Sequence, residues 1–266
     1  MAYKDLLVVL DTEPQARQRL LLAADLAERF NAHLVGLHLT VGVESARCSG
    51  RSDSDADRSM RTLFDDVVGR RSISAEWRMA SGYPLDVTAV HARYVDLTIL
   101  GQLDPDKEWA SVIYPRAEDL ALSTGRPVLL VPYAGTFSSV GQRVLVGWDA
   151  SREAARAVND AMPLLVAASS VTVITIDPKQ SREEHGDIPG ADISLHLARH
   201  GVKAQVERTV SGGIGIGNAL LSRASDLGAD LLVMGAYGHS RVRELMLGGA
   251  TRTVLDSMTL PVLMAH

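Results

Sequence analysis

The chain has 266 residues, 46% hydrophobic and 22% charged with few aromatics, which is the composition of a folded globular protein with a substantial core and not of a disordered one. A formal net charge of −5 removes the electrostatic basis for non-specific binding to nucleic acid or to an anionic membrane surface. Cys48 is the only cysteine, so neither an intrachain disulfide nor a thiolate metal cluster can form.

Met1-Ala2-Tyr3-Lys4-Asp5 enters a strand-like run without the long apolar segment of a signal peptide, and no stretch approaches membrane-spanning length, so a cytoplasmic location is expected. Leu6 to Leu10 is a short apolar run ending at Asp11, and Pro14 sits where a first helical turn tolerates it. Ala16, Leu20, Ala23, Ala24 and Ala27 recur at helical spacing through Phe30, and a second strand follows from His33 to Leu39. Glu44 to Asp57 reads as loop, with a helix then reaching about Val68. Ile73 to Met79 alternates as a strand, Pro84 opens a helix towards Tyr94, and Asp96 to Gly101 is a buried strand. Pro115 to Ser123 supplies a last helix and Pro127 to Val131 a fifth strand.

Pro132 to Gly141 lacks period and is rich in turn formers, which places a boundary between a first domain, residues 1–135, and a second, residues 141–266. The same order of elements then begins again. Leu6 to Asp11 answers to Val144 to Asp149, Asp96 to Gly101 to Asp230 to Gly235, and Arg126 to Leu130 to Leu260 to Met264. Between the last two pairs the offset is constant, 230 minus 96 and 261 minus 127 both being 134. Two copies of one α/β fold are expected, each an open parallel five-stranded sheet with helices on both faces and right-handed crossovers. Ligands of such sheets bind beyond the carboxyl ends of the strands, near the switch in strand order, and both Asp149 and the loop after Gly235 lie directly after strands.

The strand Leu231 to Gly235 ends in a glycine-rich loop that leads into a helical pattern. Glycines let the backbone approach an anion, and the first N–H groups of a helix have no intrahelical partners and carry its positive end. Gly235, Gly238 and Gly248 stand as glycine, two residues, glycine, nine residues, glycine. This spacing after a fourth strand resembles the nucleotide-binding class of the universal stress protein family, and the Rossmann-like tandem layout is similar to its two-domain members. The resemblance implies that ATP is bound in the second domain, with main-chain N–H groups around Gly235, Gly238, Gly248, Gly249 and Ala250 wrapping the phosphates. Thr251 matches the second of the family's two hydroxyls, while Gly249 stands where serine is usual; losing one neutral hydrogen bond, about 0.5–1.5 kcal/mol, weakens binding without abolishing it.

By the same resemblance Asp149 meets the adenosine end and Ile176, closing the second strand, supplies a main-chain or apolar contact. Asp149 has a second reading, in turning the chain into the helix that starts near Ser151, and the sequence leaves both open. The first copy reads Gly101-Gln102-Leu103-Asp104-Pro105-Asp106-Lys107-Glu108, with Asp104 in place of the second glycine, and three acids there repel a polyphosphate. That domain is expected to be a scaffold without ATP, leaving Asp11 no adenosine to meet.

Ser211 to Gly217 misses the Gly-x-Gly-x-x-Gly pattern because position 218 is Asn, and reads as a flexible entry to a helix. His196 and His200 lie four apart but lack a third ligand, so they read as a helix end instead of a metal pair; His185 with Asp187 reads as polar loop, and Cys48 as an inert thiol. Arg241 and Arg243 read as a solvated face that can also reach phosphate. No positioned base, nucleophile or metal is evident, so no catalytic residue is assigned. The expected function is a stress-response protein whose ATP acts as signal or stabiliser, with at most slow hydrolysis and magnesium bridging the phosphates. A nucleotide-free pairing or adaptor module, and an adenylating enzyme on a related α/β fold, are the alternatives. The resemblance also implies that the two copies pair within the chain, leaving room for a further homodimer.

Overall fold

Parallel strands pair along both edges and are covered on both faces, so short continuous apolar runs bury themselves as strands while periodic runs become the covering helices. A computed structural model describes residues 2–40, 53–104, 106, 114–177, 190–237 and 249–266. It separates into two compact units, Ala2–Ser138 and Ser139–His266.

The first unit runs β1 (Asp5–Leu10), α1 (Ala16–Phe30), β2 (His33–Thr40), α2 (Asp53–Val68), β3 (Ala75–Ser81), α3 (Pro84–Ala92), β4 (Leu97–Gly101), α4 (Ala117–Thr124) and β5 (Val128–Val131). Its strands are parallel in the order β3-β2-β1-β4-β5. The second unit runs β6 (Arg143–Gly147), α5 (Arg152–Ala167), β7 (Ser170–Ile176), α6 (Ala191–Arg199), β8 (Ala204–Thr209), α7 (Ile216–Asp226), β9 (Leu231–Gly235), α8 (Ala250–Ser257) and β10 (Val262–Ala265), with the parallel order β8-β7-β6-β9-β10. In each unit the chain turns back across its first strand, which puts a switch point between β1 and β4 and between β6 and β9. Helices packed in pairs, α1 with α2 and α3 with α4 in one unit and α7 with α8 in the other, cover the sheets. Among the described residues no helix is long and apolar enough to cross a membrane.

Local chemistry fixes the elements. Leu6, Leu7, Leu10, Leu97, Ile99 and Leu129 are fully buried in the first sheet, as are Leu145, Val146, Leu232 and Val233 in the second. Asn31 ends α1 in the left-handed region, φ 49°, and donates its N–H to carbonyls of the last turn. Pro84 occupies the first turn of α3. Two elements depart from expectation at their edges: α2 begins at Asp53, inside the stretch read as loop, and β3 begins two residues later than Ile73 because Leu34 of β2 registers with Ala75.

The repeated aspartate that precedes the fourth strand of each unit is a clamp. Asp96 accepts from the N–H groups of Lys4 at 2.6 Å and Asp5 at 3.1 Å, holding the entry of β1 beside β4. Asp230 accepts from the N–H groups of Gln142 and Arg143 at 2.9 and 2.8 Å and from the Ser139 hydroxyl at 2.9 Å. Charge-assisted hydrogen bonds of this kind exceed neutral ones. Asp230→Ala is expected to lower the unfolding free energy by about 1–3 kcal/mol, and Asp96→Ala to do the same in kind, each measured by urea denaturation.

Candidate functional site

The second unit gathers its sequence-predicted residues at the carboxyl ends of three adjacent strands: Asp149 after β6, Ile176 at the end of β7 and Gly235 at the end of β9. Asp149 is exposed, and its Oδ1 accepts from the Ser151 N–H at 3.0 Å. Ser151 in turn caps α5, its hydroxyl accepting from the Ala154 N–H at 3.1 Å. Asp149 therefore does turn the chain into the helix, using one carboxylate oxygen and leaving Oδ2 without a partner among the described residues. Between them Ala150 adopts φ 59°, a left-handed conformation uncommon for a residue with a Cβ.

Gly235 has a packing reason to be glycine. A Cβ there would lie 2.6 Å from the Ala154 nitrogen and 2.7 Å from the Glu153 carbonyl carbon, so the first turn of α5 rests on the end of β9. Gly217 serves the same purpose for α7, where a Cβ would lie 2.8 Å from the Ala250 oxygen and 2.6 Å from Thr253 Cβ, seating the first turn of α7 on that of α8. The beginning of α8 is tied back to the chain leaving β9, because the Tyr237 N–H donates to the buried Thr251 hydroxyl at 3.3 Å. Three helix N-termini thus gather around the exit of β9, each carrying unpaired N–H groups and partial positive charge. Gly249 is the extended N-cap of α8, φ −52° and ψ 154°, and supplies no side-chain cap. No described residue accepts from the N–H groups of Gly249 and Ala250.

Gly238, Gly248, Arg241 and Arg243, like Cys48, His185 and Asp187, lie outside the described residues. Of the other motifs, Gly212, Gly213 and Gly215 all take positive φ, 59°, 85° and 85°, before α7. His196 and His200 lie with ring centroids 4.7 Å apart at the end of α6, followed by Gly201 at φ 84°. Among the described residues no group of three His, Cys, Asp or Glu side chains could hold a metal ion.

Two residues that the sequence reading did not single out matter here. Glu153, 2% exposed, lies in the first turn of α5 with its carbonyl carbon and Cβ against Gly235 and with exposed Arg152 as its ion-pair partner. The corresponding place in the first unit is taken by Arg19, 3% exposed, whose Nη2 donates to Asp11 at 2.5 Å and whose Nε donates to the Val9 carbonyl at 2.9 Å. A Cβ on Gly101 would lie 2.0 Å from Arg19 Nη1, so the guanidinium covers the end of β4. Asp11 is thereby neutralised inside the fold. The signal was present: Arg19 is three residues after Ala16 and four before Ala23, on the apolar stripe of α1. Nearby, burial first and the Asp11 charge second push the Tyr114 phenol up to about 12.

The β7–β8 edge of the site is held by a further turn. Asp177, φ 47°, follows Ile176 and accepts from the Ser211 N–H at 3.0 Å, and the Ser211 hydroxyl and N–H hold its carboxyl below the usual range.

Residues 141–266 match the model of the universal stress protein family. A universal stress protein of Synechocystis sp. is 28% identical over 186 residues, covering 69% of this chain and 62% of that relative, so the match spans less than two thirds of the relative's length. The structure of a universal stress protein from Archaeoglobus fulgidus covers 98% of this chain and 95% of its own at 16% identity and a TM-score of 0.76. A functionally unknown protein from Pseudomonas aeruginosa covers 99% and 92% at 18% identity and a TM-score of 0.62. At such identities the likeness to solved structures is one of fold.

The depressed Asp177 titration makes a signed prediction. Its contribution to stability is present above the unfolded aspartate pKa, about 4, and is lost as pH falls through the lower folded value. The denaturation midpoints of the parent and Asp177→Asn should therefore differ at neutral pH and converge in acid, as measured by urea titrations across that range.

Proposed function

Because residues 141–266 match the universal stress protein family, we propose that the second unit binds ATP at the β6/β9 switch point and acts in stress response through nucleotide occupancy. The single observation carrying this reading is the hydrogen bond from Tyr237 to Thr251, which brings the two ends of the glycine loop together beside three helix N-termini. A site made of bare N–H groups suits an anion, and phosphate at helix N-termini follows from the same physics. In this reading the N–H groups of Gly235, Gly238, Gly248, Gly249 and Ala250 hold the phosphates. The Thr251 hydroxyl, accepting from Tyr237, keeps its own proton to donate. Asp149 faces the adenosine end with its unpaired oxygen, and Ile176 contributes main chain or apolar surface beside it.

In this reading the nucleotide binds together with magnesium. The ion would be carried by the phosphates, since the described residues offer no cluster of three ligating side chains. When bound, magnesium neutralises phosphate charge; the chain's own residues bind and orient. Residence in the cytoplasm and association of whole chains into a homodimer belong to the same proposal, the latter checked by light scattering.

Gly249→Ser tests the reading. The extended backbone of Gly249 accommodates serine, which restores one hydroxyl donor worth about 0.5–1.5 kcal/mol. Calorimetric titration with magnesium ATP should show affinity rising by about two- to tenfold, in keeping with that energy. Saturable binding absent from both parent and variant contradicts the proposal and leaves the adaptor reading in its place.

A further inference from the structure

Helix α3 carries apolar residues on both faces. Its inner face, with Thr88, Ala89 and Ala92, is buried where the helix packs on β1, β3 and α4. On the opposite side Tyr83, Val87, Val90 and Tyr94 follow one another at intervals of four, three and four residues, the spacing that keeps side chains in one line along a helix. Tyr83 is 69%, Val90 50% and Tyr94 78% exposed, and Val87 is half-buried. The line runs through both helix ends, because the Val87 N–H donates to the Tyr83 carbonyl at 3.1 Å and the Tyr94 N–H to the His91 carbonyl at 3.3 Å. Scattered exposed apolar residues are ordinary, but a helix apolar on both faces is one that is covered on both. Helix α5 shows the contrast, with Arg152, Arg156 and Asn159 exposed on its outer side.

Charge specifies what covers the stripe. Asp86 and Arg93 are both exposed and lie seven residues apart, hence on one flank of it, the acid in the first turn and the base at the C-cap. Arg93 Nη2 donates to the Ser123 carbonyl at 3.3 Å, which uses one of the five donors of its guanidinium. A two-fold axis that sets two copies of α3 face to face and antiparallel leaves equal flanks on the same side, with Tyr83 opposite Tyr94 and Val87 opposite Val90. Asp86 of each copy then stands beside Arg93 of the other, offset by about 3 Å along the helix. A parallel pairing puts the two flanks on opposite sides and forms neither ion pair. The face is thus its own complement, as an isologous dimer requires.

We propose that Tyr83, Val87, Val90 and Tyr94 form the face on which a second copy of this chain docks, α3 antiparallel to α3. The proposal rests on the association of whole chains put forward above and names its surface; it is independent of nucleotide binding. A stripe about 18 Å long gives an interface at the small end, below about 1,200 Å². The dimer is accordingly a transient one, governed by concentration.

Sedimentation equilibrium of the full chain at up to about 1 mM, a range that registers weak association, is the test. The parent chain should show a monomer–dimer equilibrium. Val90→Glu combined with Tyr94→Glu should raise the dissociation constant by about tenfold or more, since both copies lose apolar contacts at once. Asp86→Arg alone and Arg93→Asp alone should each weaken the dimer by about threefold or more, and the two together should restore it to within about twofold of the parent, because two exposed ion pairs are broken and then re-formed with their signs exchanged. Every substituted position is exposed, and thermal unfolding establishes that each variant is folded. Where the glutamate variant does not fold, the charge series decides. A parent chain that stays monomeric overturns this proposal together with the association it rests on. A dimer that the folded glutamate variant leaves intact, or single reversals whose loss the double reversal does not recover, overturns this face and leaves whole-chain association standing.

Discussion

The residue that ends the fourth strand of each unit has to be glycine, and what rests on it decides the character of that unit. On Gly235 it is backbone: the first turn of α5 approaches so closely that a Cβ would meet the Ala154 nitrogen at 2.6 Å. On Gly101 it is a side chain, the Arg19 guanidinium, which would meet a Cβ at 2.0 Å. In one unit the switch point therefore receives a helix N-terminus. In the other it receives the Arg19 guanidinium, already paired with Asp11.

Topology makes this contrast possible. The order β3-β2-β1-β4-β5, repeated as β8-β7-β6-β9-β10, leaves a crevice at the carboxyl end of the sheet in both units without any residue being chosen for function. The aspartate clamps, Asp96 and Asp230, hold the amino ends of the central strand pairs in the same way, so both crevices start from one geometry. The two units differ at the carboxyl edge. There the second unit places left-handed residues after three strands, Ala150, Asp177 and Tyr237, at φ 59°, 47° and 59°. Conformations of that kind cost free energy and persist where surrounding contacts over-determine them.

Much of this was legible in the chain. Leu6 to Leu10 and Leu231 to Gly235 are continuous apolar runs because parallel strands are buried on both faces, and α1 and α5 show periodic small and apolar residues because one face meets the sheet. The start of α2 was obscured because its buried anchors, Phe64 and Val67, come late while the preceding turns are polar. β3 was shifted because an edge strand of half-buried residues alternates weakly, and its register comes from β2. In the site, the spacing of glycines pointed to a phosphate loop, but the packing need of Gly235 lies in a helix that starts far away in sequence. The same holds for Arg19, whose burial depends on the absent side chain of Gly101.

The central claim is that the second unit's crevice is built from backbone donors to hold an adenine nucleotide. It is tested most directly by releasing and identifying by mass spectrometry whatever small molecule accompanies the freshly purified chain, followed by titration of the emptied protein with magnesium ATP. The account predicts an adenine nucleotide in the released fraction and saturable rebinding. A chain that releases none and never responds to adenine nucleotides would contradict it.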